Sequence, residues 1–401
     1  MAKTNKKIVW FFNGYSRGST ADIIKCLERT FSNHGYNTLV VTPTRSNAFI
    51  NNFSIYSNRL SLFLYKCICR CFGIDGFSNK LTTKRLLRKL KHSIPTVISI
   101  HNTHPYYINI ELVLSFAKKH NIPVFWTLHD EWLLTGRCCY FDANGCEKWK
   151  VGCGKCQYKK AFPRTVFCDC SRKLWERKRS ILSLNKEATL ITPSLWLMNM
   201  VKADNYGYKN RCICLRNPFD LSLLIPSSHI QSIQDMAKGK KIIGAAALVW
   251  NVGKGIDYLS KLADILDPTI YLVIAIGRNE YPKELSANLH MLPPIFSKKE
   301  IASFYSTLDV FVNTTLQDNA PMVNIEALAC GTPVVSFDTG GAAEPIIEGV
   351  NGFIIHKKCI HDMAERVKEL DKTNELQKAC CESVKKYSIE YTSEEYFKRL
   401  T

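Results

Sequence analysis

Long apolar stretches are absent from this 401-residue sequence, where no run reaches the eighteen residues that mark a membrane-crossing helix. The first apolar run, 8–12, is far too short for a signal-peptide core, so the chain is expected to stay in the cytoplasm. Repeats of solenoid length and low-complexity tracts are also missing, which excludes an array or a disordered linker protein. Acidic residues are scarce: 35 Asp and Glu face 54 Lys and Arg, a formal net charge of +19. That excess calls for anionic partners, which could be nucleic acid, an acidic lipid surface or phosphorylated small molecules. No zinc-finger spacing, RRM signature or helix-turn-helix pattern is present, and the charge is spread along the chain, so nucleic acid is not the expected partner. Cysteine, in contrast, is plentiful. Seventeen residues, an odd number, without an export signal read as thiols or metal ligands rather than a disulfide framework.

Hydrophobic residues make up 46% and charged residues 22%, enough apolar mass for a sizeable core, and the length suits two domains. Short β-branched runs alternate with longer amphipathic stretches. One series lies at 8–12, 39–42, 97–101, 124–129, 189–192 and 212–215, a second at 242–247, 270–276, 310–313, 334–337 and 353–355. Such alternation predicts an α/β chain with two parallel sheets covered by helices. The join falls in the polar, Pro/Ser-containing stretch 217–239, giving domains at 1–218 and 219–385, with a last helix near 386–401 returning to the first domain. The stretch 60–92 is amphipathic and basic, with Lys80, Lys84, Arg85, Arg88, Lys89 and Lys91 beside large apolar residues. It fits either a solvated helix or the surface of an anionic membrane.

The most informative segment is TTLQDNAPMVNIEALACGTPVVSFDTGGAAEPI, 314–346. Pro321 suits the first turn of a helix and Gly331 the position beyond its end, predicting a helix over 321–330. Asp318 precedes this helix, with Asn319 beside it, and Glu326 lies inside. Carboxylates of this kind hold sugar hydroxyls, while the N–H groups near Met322 and Val323 and the glycines Gly340 and Gly341 are candidates for cradling a diphosphate. In the first domain, Gly18 and Ser19 stand between the first strand and first helix, a second candidate phosphate turn. His101, His104, His129 and Asp130 fall at the carboxyl ends of predicted strands, where open α/β sheets bind ligands. Cys138, Cys139, Cys146, Cys153 and Cys156 crowd together and include one C-x2-C pair. Cys138, Cys146, Cys153 and Cys156 could close a structural zinc site, or the thiols pack a loop in reduced form; the spacing leaves both open.

The segment around Asp318 and Glu326 resembles the signature of glycosyltransferase family 4, retaining enzymes of the GT-B fold. Its marks here are two acids with seven residues between them, EALACGTPVV and a GG-x-x-E turn ending at Glu344. Asp318 stands where Glu is commoner, keeping the charge but shortening the reach. The resemblance extends over nearly the whole chain. GAAALVWNVGKGIDYL looks like the family's second-domain opening, in which Lys254 would meet the diphosphate; Val249 stands where many members carry Arg, and Arg278 is a nearby cation. His129 matches the family histidine that faces the transferred sugar, and Asn217-Pro218-Phe219-Asp220 replaces an N-G-x-D turn.

What the resemblance implies is two facing Rossmann-like domains with an inter-domain cleft. The expected reaction is retaining transfer from a nucleotide-diphosphate sugar to a lipid-linked or other glycan acceptor, in capsular or exopolysaccharide assembly, by an enzyme on the cytoplasmic membrane face. His129, Lys254 and Asp318 would be catalytic. Gly18, Ser19, Arg278, Asn319, Met322, Val323, Glu326, Gly340 and Gly341 would complete the donor site, with His101, His104 and Asp130 on the acceptor side. No cofactor is expected for catalysis, since no DxD-type metal motif occurs at a matching place. The rival readings are a nucleotide-sugar-binding regulator without activity and a basic protein that binds nucleic acid or membrane.

Overall fold

The computed structural model describes residues 7–56, 59–104, 106–141, 145–159, 163–203 and 211–401. The chain divides into two compact units, Met1–Pro218 with Glu390–Thr401, and Phe219–Ile389.

The first unit holds a seven-stranded sheet of β1 (Ile8–Phe12), β2 (Asn37–Thr42), β3 (Asn52–Ser54), β4 (Val97–Ile100), β5 (Val124–Thr127), β6 (Thr189–Thr192) and β7 (Cys212–Cys214). Every pairing is parallel, in the order β3-β2-β1-β4-β5-β6-β7. The strands are apolar because both faces are covered: β4, VISI, is buried at all four positions. One face packs Trp10, Ile98, Val113 and Trp126, the other Val9, Phe11, Ile24 and Phe31. The helix Ile389–Leu400 belongs to this second cluster, with Tyr396 fully buried and its hydroxyl donating to the Leu215 carbonyl at 3.4 Å.

The second unit holds β8 (Lys241–Trp250), β9 (Tyr271–Asn279), β10 (Leu289–Leu292), β11 (Val310–Asn313), β12 (Val334–Phe337) and β13 (Gly352–Ile355). They form a six-stranded parallel sheet in the order β10-β9-β8-β11-β12-β13. The expected α/β class with two parallel sheets is what the chain adopts. Two strands escaped the sequence reading. β3, only Asn-Phe-Ser, and β10, four residues, sit at sheet edges, where one-sided pairing leaves too short a run to stand out from a loop.

Chain order reverses between β1 and β4 in the first sheet and between β8 and β11 in the second. Beyond the carboxyl ends of such neighbours the following loops diverge to opposite faces and leave a crevice for ligands. No helix among the described residues is long and apolar enough to cross a membrane.

Candidate active site

In the second unit, the loops after β8 and β11 are locked together by close backbone approach. Gly255 has φ +69°, and a Cβ there would lie 1.8 Å from the Thr314 carbonyl oxygen. The Leu316 N–H donates to the Gly253 carbonyl at 2.9 Å, and the Thr314 hydroxyl donates to that of Gly255 at 2.9 Å. Asn251 caps the short 3-10 turn Val252–Lys254, its side chain accepting from the Lys254 N–H at 3.2 Å. The result places the Lys254 Nζ 2.7 Å from Asp318 Oδ2, across 64 positions of sequence, with both side chains partly open to solvent.

Around this pair the structure leaves polar groups without protein partners. Both polar atoms of the Asn319 side chain and the Thr339 hydroxyl are buried and unbonded. Orphans of this kind are uncommon in folded proteins and cluster where a ligand completes them. The helix Met322–Ala329 begins beside them, with the first-turn N–H groups at Met322 and Val323 lacking intrahelical acceptors. Pro321 is the extended residue before this helix, at ψ 125°, rather than part of its first turn as its residue type suggests. At the other end Gly331 takes φ +76°, and the pair Gly331 N–H to Leu328 O and Thr332 N–H to Ala327 O closes a Schellman turn.

The Gly-rich turn packs directly against the backbone of Asp318. The Gly341 N–H donates to the Asp318 carbonyl at 3.1 Å, so it is already engaged within the protein. Gly340, at φ +58°, comes so near that a Cβ would lie 1.9 Å from the same carbonyl oxygen. Both glycines therefore fix the backbone that carries Asp318. Asn324, fully buried, extends the brace: its Nδ2 donates to the Ala342 carbonyl and its Oδ1 accepts from Asn313 Nδ2, both at 2.8 Å.

Glu326 is held by the Tyr305 hydroxyl, which donates to Oε2 at 2.7 Å. Burial raises its carboxyl above the ordinary range, while Tyr305 and then Lys298 pull it down. Arg278 is exposed at the end of β9 and pairs in register with Val249 of β8. Paired residues on parallel neighbours project to the same face, so this cation stands next to the position where the resembled family often carries Arg.

In the first unit, Gly18 is the N-cap of the helix Ser19–Asn33. Its φ of +93° is a conformation side chains rarely adopt, so Gly rather than Ser makes the turn, and Ser19 is an exposed first helical residue. His101 and His129 leave β4 and β5 side by side, stacked at 5.2 Å, with His101 Nδ1 and His129 Nε2 2.9 Å apart. His101 Nε2 lies 3.1 Å from Ser99 Oγ. Burial pushes His129 down to about 4 and His101 well below its ordinary value, so both rings are uncharged at neutral pH and one donates its N–H to the other. His104 Nε2 lies 3.5 Å from Asp130 Oδ2, whose Oδ1 accepts from the Trp132 N–H. The three histidines and Asp130 thus gather at the carboxyl ends of neighbouring strands, as their positions suggested.

Cys138, Cys146 and Cys153 pack partly buried against the first core. The thiols sense one another: Cys153 and Cys156 add to the burial that pushes Cys138 up to about 11, and Cys146 acts likewise on Cys153. Cys153 Sγ accepts from the Gly136 N–H at 3.0 Å. Among the described residues the set whose ligand atoms lie within 4.8 Å of one another is different, formed by His104, Asp130 and Cys139.

Sequence reading missed the group on which this region rests. Lys178 of the helix Ser171–Leu184 is fully buried, donates to the carbonyls of Trp132 and Thr135, and stands 3.7 Å from the Trp132 ring centre. Burial pushes it down to about 7 against the pull of Cys139, Cys138, Cys153 and Asp130. In KLWERKRS it looks like any solvated helix charge, and no signal in the sequence separates it from Lys173.

Residues 229–387 match the family Glycosyl transferases group 1. The matched stretch lies within the second unit, and this match together with the relatives below supports the transferase class for the chain. It is 27% identical over 297 residues, 72% of this chain and 71% of the relative, to the putative colanic acid biosynthesis glycosyl transferase WcaC of Escherichia coli. A shorter match, 35% over 68 residues, joins 17% of the chain to 18% of the capsular polysaccharide biosynthesis glycosyltransferase CapM of Staphylococcus aureus. Among solved structures, Anabaena HepE in complex with UDP-glucose superposes with a TM-score of 0.66 at 13% identity, covering 98% of this chain and 99% of that one. The lipopolysaccharide glycosyltransferase WaaG gives 0.63 at 13% identity, covering 98% and 99%. These likenesses establish the two-domain parallel α/β fold of GT-B glycosyltransferases.

Proposed function

We propose that this protein is a retaining glycosyltransferase of family 4 that moves a sugar from a nucleotide-diphosphate donor to a lipid-linked glycan during surface polysaccharide assembly on the cytoplasmic side. The observation that carries the reading is the Lys254–Asp318 pair at the β8/β11 reversal, set among the orphaned polar groups of Asn319 and Thr339. In this reading the ammonium of Lys254 transfers from Asp318 to a phosphate oxygen when the donor arrives, and Asp318 is released to accept hydroxyls of the transferred sugar. The helix N-terminus at Met322 and Val323 adds its dipole to the same diphosphate. Arg278 supplies the second cation in place of residue 249, and Glu326, oriented by Tyr305, accepts the ribose hydroxyls. Stabilising the departing diphosphate in this way lowers the barrier without a carboxylate nucleophile, and the leaving group itself takes the acceptor's proton. A surface polysaccharide is supported by what the relatives WcaC and CapM are named for.

A panel of UDP- and GDP-sugars tests this by thermal shift, followed by transfer assays with the donor that stabilises the protein. Lys254→Ala should lower turnover by about a hundredfold or more, the scale of losing one preorganised charge at a developing anion. Turnover within about threefold of wild type would remove Lys254 from the role. Transfer that persists in excess EDTA is expected, because the cations of the site are side chains; dependence on added magnesium would refute that part.

A further inference from the structure

A cavity of about 370 Å³ opens in the first unit beyond the carboxyl ends of β1 and β2. Arg17, from the loop after β1, and Lys66 and Arg70, from the helix Arg59–Phe72, bring three cations to its lining, and no carboxylate joins them. Among the described residues none of the three closes an ion pair. Arg70 lies near the Tyr106 hydroxyl and near Asp75, a carboxyl that burial pushes up to about 7. Three like charges around one concavity repel each other unless an anion of comparable charge sits between them.

The helix that supplies two of these cations has an unusual outer face. Cys69 is buried and Leu62 and Tyr65 pack on the core, while Leu60, Phe63, Leu64 and Ile68 are exposed by 65%, 60%, 55% and 45%. At 100° per residue, Leu62, Lys66 and Arg70 form one flank, and the exposed apolar stripe begins at Phe63, directly beside it. A solvated helix carries polar residues on such a face, and an apolar stripe of this size on a monomer marks an interaction surface. The surroundings select its partner. From 59 to 92 the sequence holds nine Lys and Arg and a single acid, the buried Asp75, and the exposed Lys84, Arg85, Arg88 and Lys89 of the helix Lys80–Leu90 lie in this stretch. Apolar residues bordered by cations match an anionic lipid surface.

We propose that this cavity takes the diphosphate of a lipid-linked acceptor, gripped by Arg17, Lys66 and Arg70, with the lipid chain and bilayer surface lying against Leu60, Phe63, Leu64 and Ile68. The inference deepens the acceptor half of the proposed function and rests on that reading. The volume suits a diphosphate with the first part of its glycan, and the boundary between charged and apolar flanks on one helix mirrors the boundary between headgroup and chain.

The test is co-sedimentation of the full chain with three vesicles: phosphatidylcholine, phosphatidylcholine with a polyprenyl diphosphate, and phosphatidylcholine with phosphatidylglycerol at matched surface charge. Wild type should bind the diphosphate vesicles about tenfold more tightly than the phosphatidylglycerol ones, and a Lys66→Ala/Arg70→Ala variant should lose that preference. Phe63→Ser/Leu64→Ser should weaken binding to both charged vesicles by about tenfold with the melting temperature unchanged. Equal binding at matched charge overturns the proposal, as does a preference that survives the double alanine variant or full release from the diphosphate vesicles by equimolar pyrophosphate. The nucleotide-sugar thermal shift, read on the same variants, separates the two readings. Failure of the shift with vesicle preference intact refutes the donor reading alone, and an intact shift with no preference refutes this one.

Discussion

Replacing Lys178 with methionine keeps the length of the side chain and removes its charge and donors, which makes it a direct probe of how the loop after β5 is held. Two carbonyls, Trp132 and Thr135, lose their donor inside the core. Each unsatisfied buried carbonyl costs about 1–3 kcal/mol, and the lost contact with the Trp132 ring adds roughly 1–2 kcal/mol. Relief from burying an ammonium offsets part of this, so a net loss of about 2–4 kcal/mol is expected near pH 7. The pH dependence is sharper. Lys178 has a folded value of about 7 against an ordinary 10.5, so between those values the unfolded chain binds the proton and the folded one does not. Stability from this group is therefore present above 10.5 and lost as pH falls through about 7. Raising the pH from about 7 to about 8.5 should stabilise wild type by about 1–2 kcal/mol relative to the methionine variant, a window below the titration of the neighbouring thiols. Urea unfolding followed by tryptophan fluorescence reads this unit selectively, because every tryptophan except Trp250 lies in it. Parallel pH profiles for the two proteins would refute the reasoning.

Three further outcomes test other parts. Gly340→Ala forces a side chain onto the Asp318 carbonyl and should weaken binding of the nucleotide diphosphate at least about tenfold by calorimetry; unchanged affinity would show that the turn does not position Asp318. Tyr305→Phe removes the hydroxyl that draws the Glu326 carboxyl down, so that value rises further. Donor affinity should then fall by about three- to tenfold, more at pH 6 than at pH 8, and an equal loss at both would separate Glu326 from ionised binding. Metal analysis of protein purified without chelator decides between the two readings of Cys138, Cys146, Cys153 and Cys156: among the described residues no three of these thiols converge within 4.8 Å, so far less than one zinc per chain is expected, and about one per chain would refute the packed-thiol reading.

Much of the second unit was legible because its information is local. The strands at 310–313 and 334–337 are short apolar runs with sharp ends, and both are strands with those bounds. Asp318, Asn319, Met322, Val323 and Glu326 lie within nine consecutive positions, so once the helix is placed their neighbourhood follows from its geometry. Lys254 is distant in sequence, and its meeting with Asp318 depends on β8 and β11 being neighbours, which hydrophobic periodicity does not encode.

The alternation of strands and helices, the basic balance and the place of the acids before and within one helix were legible in the order of residues alone, because these follow from side-chain type and spacing along the chain. Packing in three dimensions is what gives the Gly341 N–H to the Asp318 carbonyl, buries Asn319 without partners, makes Lys178 a buried clamp and brings Lys66 and Arg70 to one cavity with Arg17. Burial and partner choice depend on which segments the sheet order brings together, and a residue's environment across that order is invisible to its neighbours in sequence.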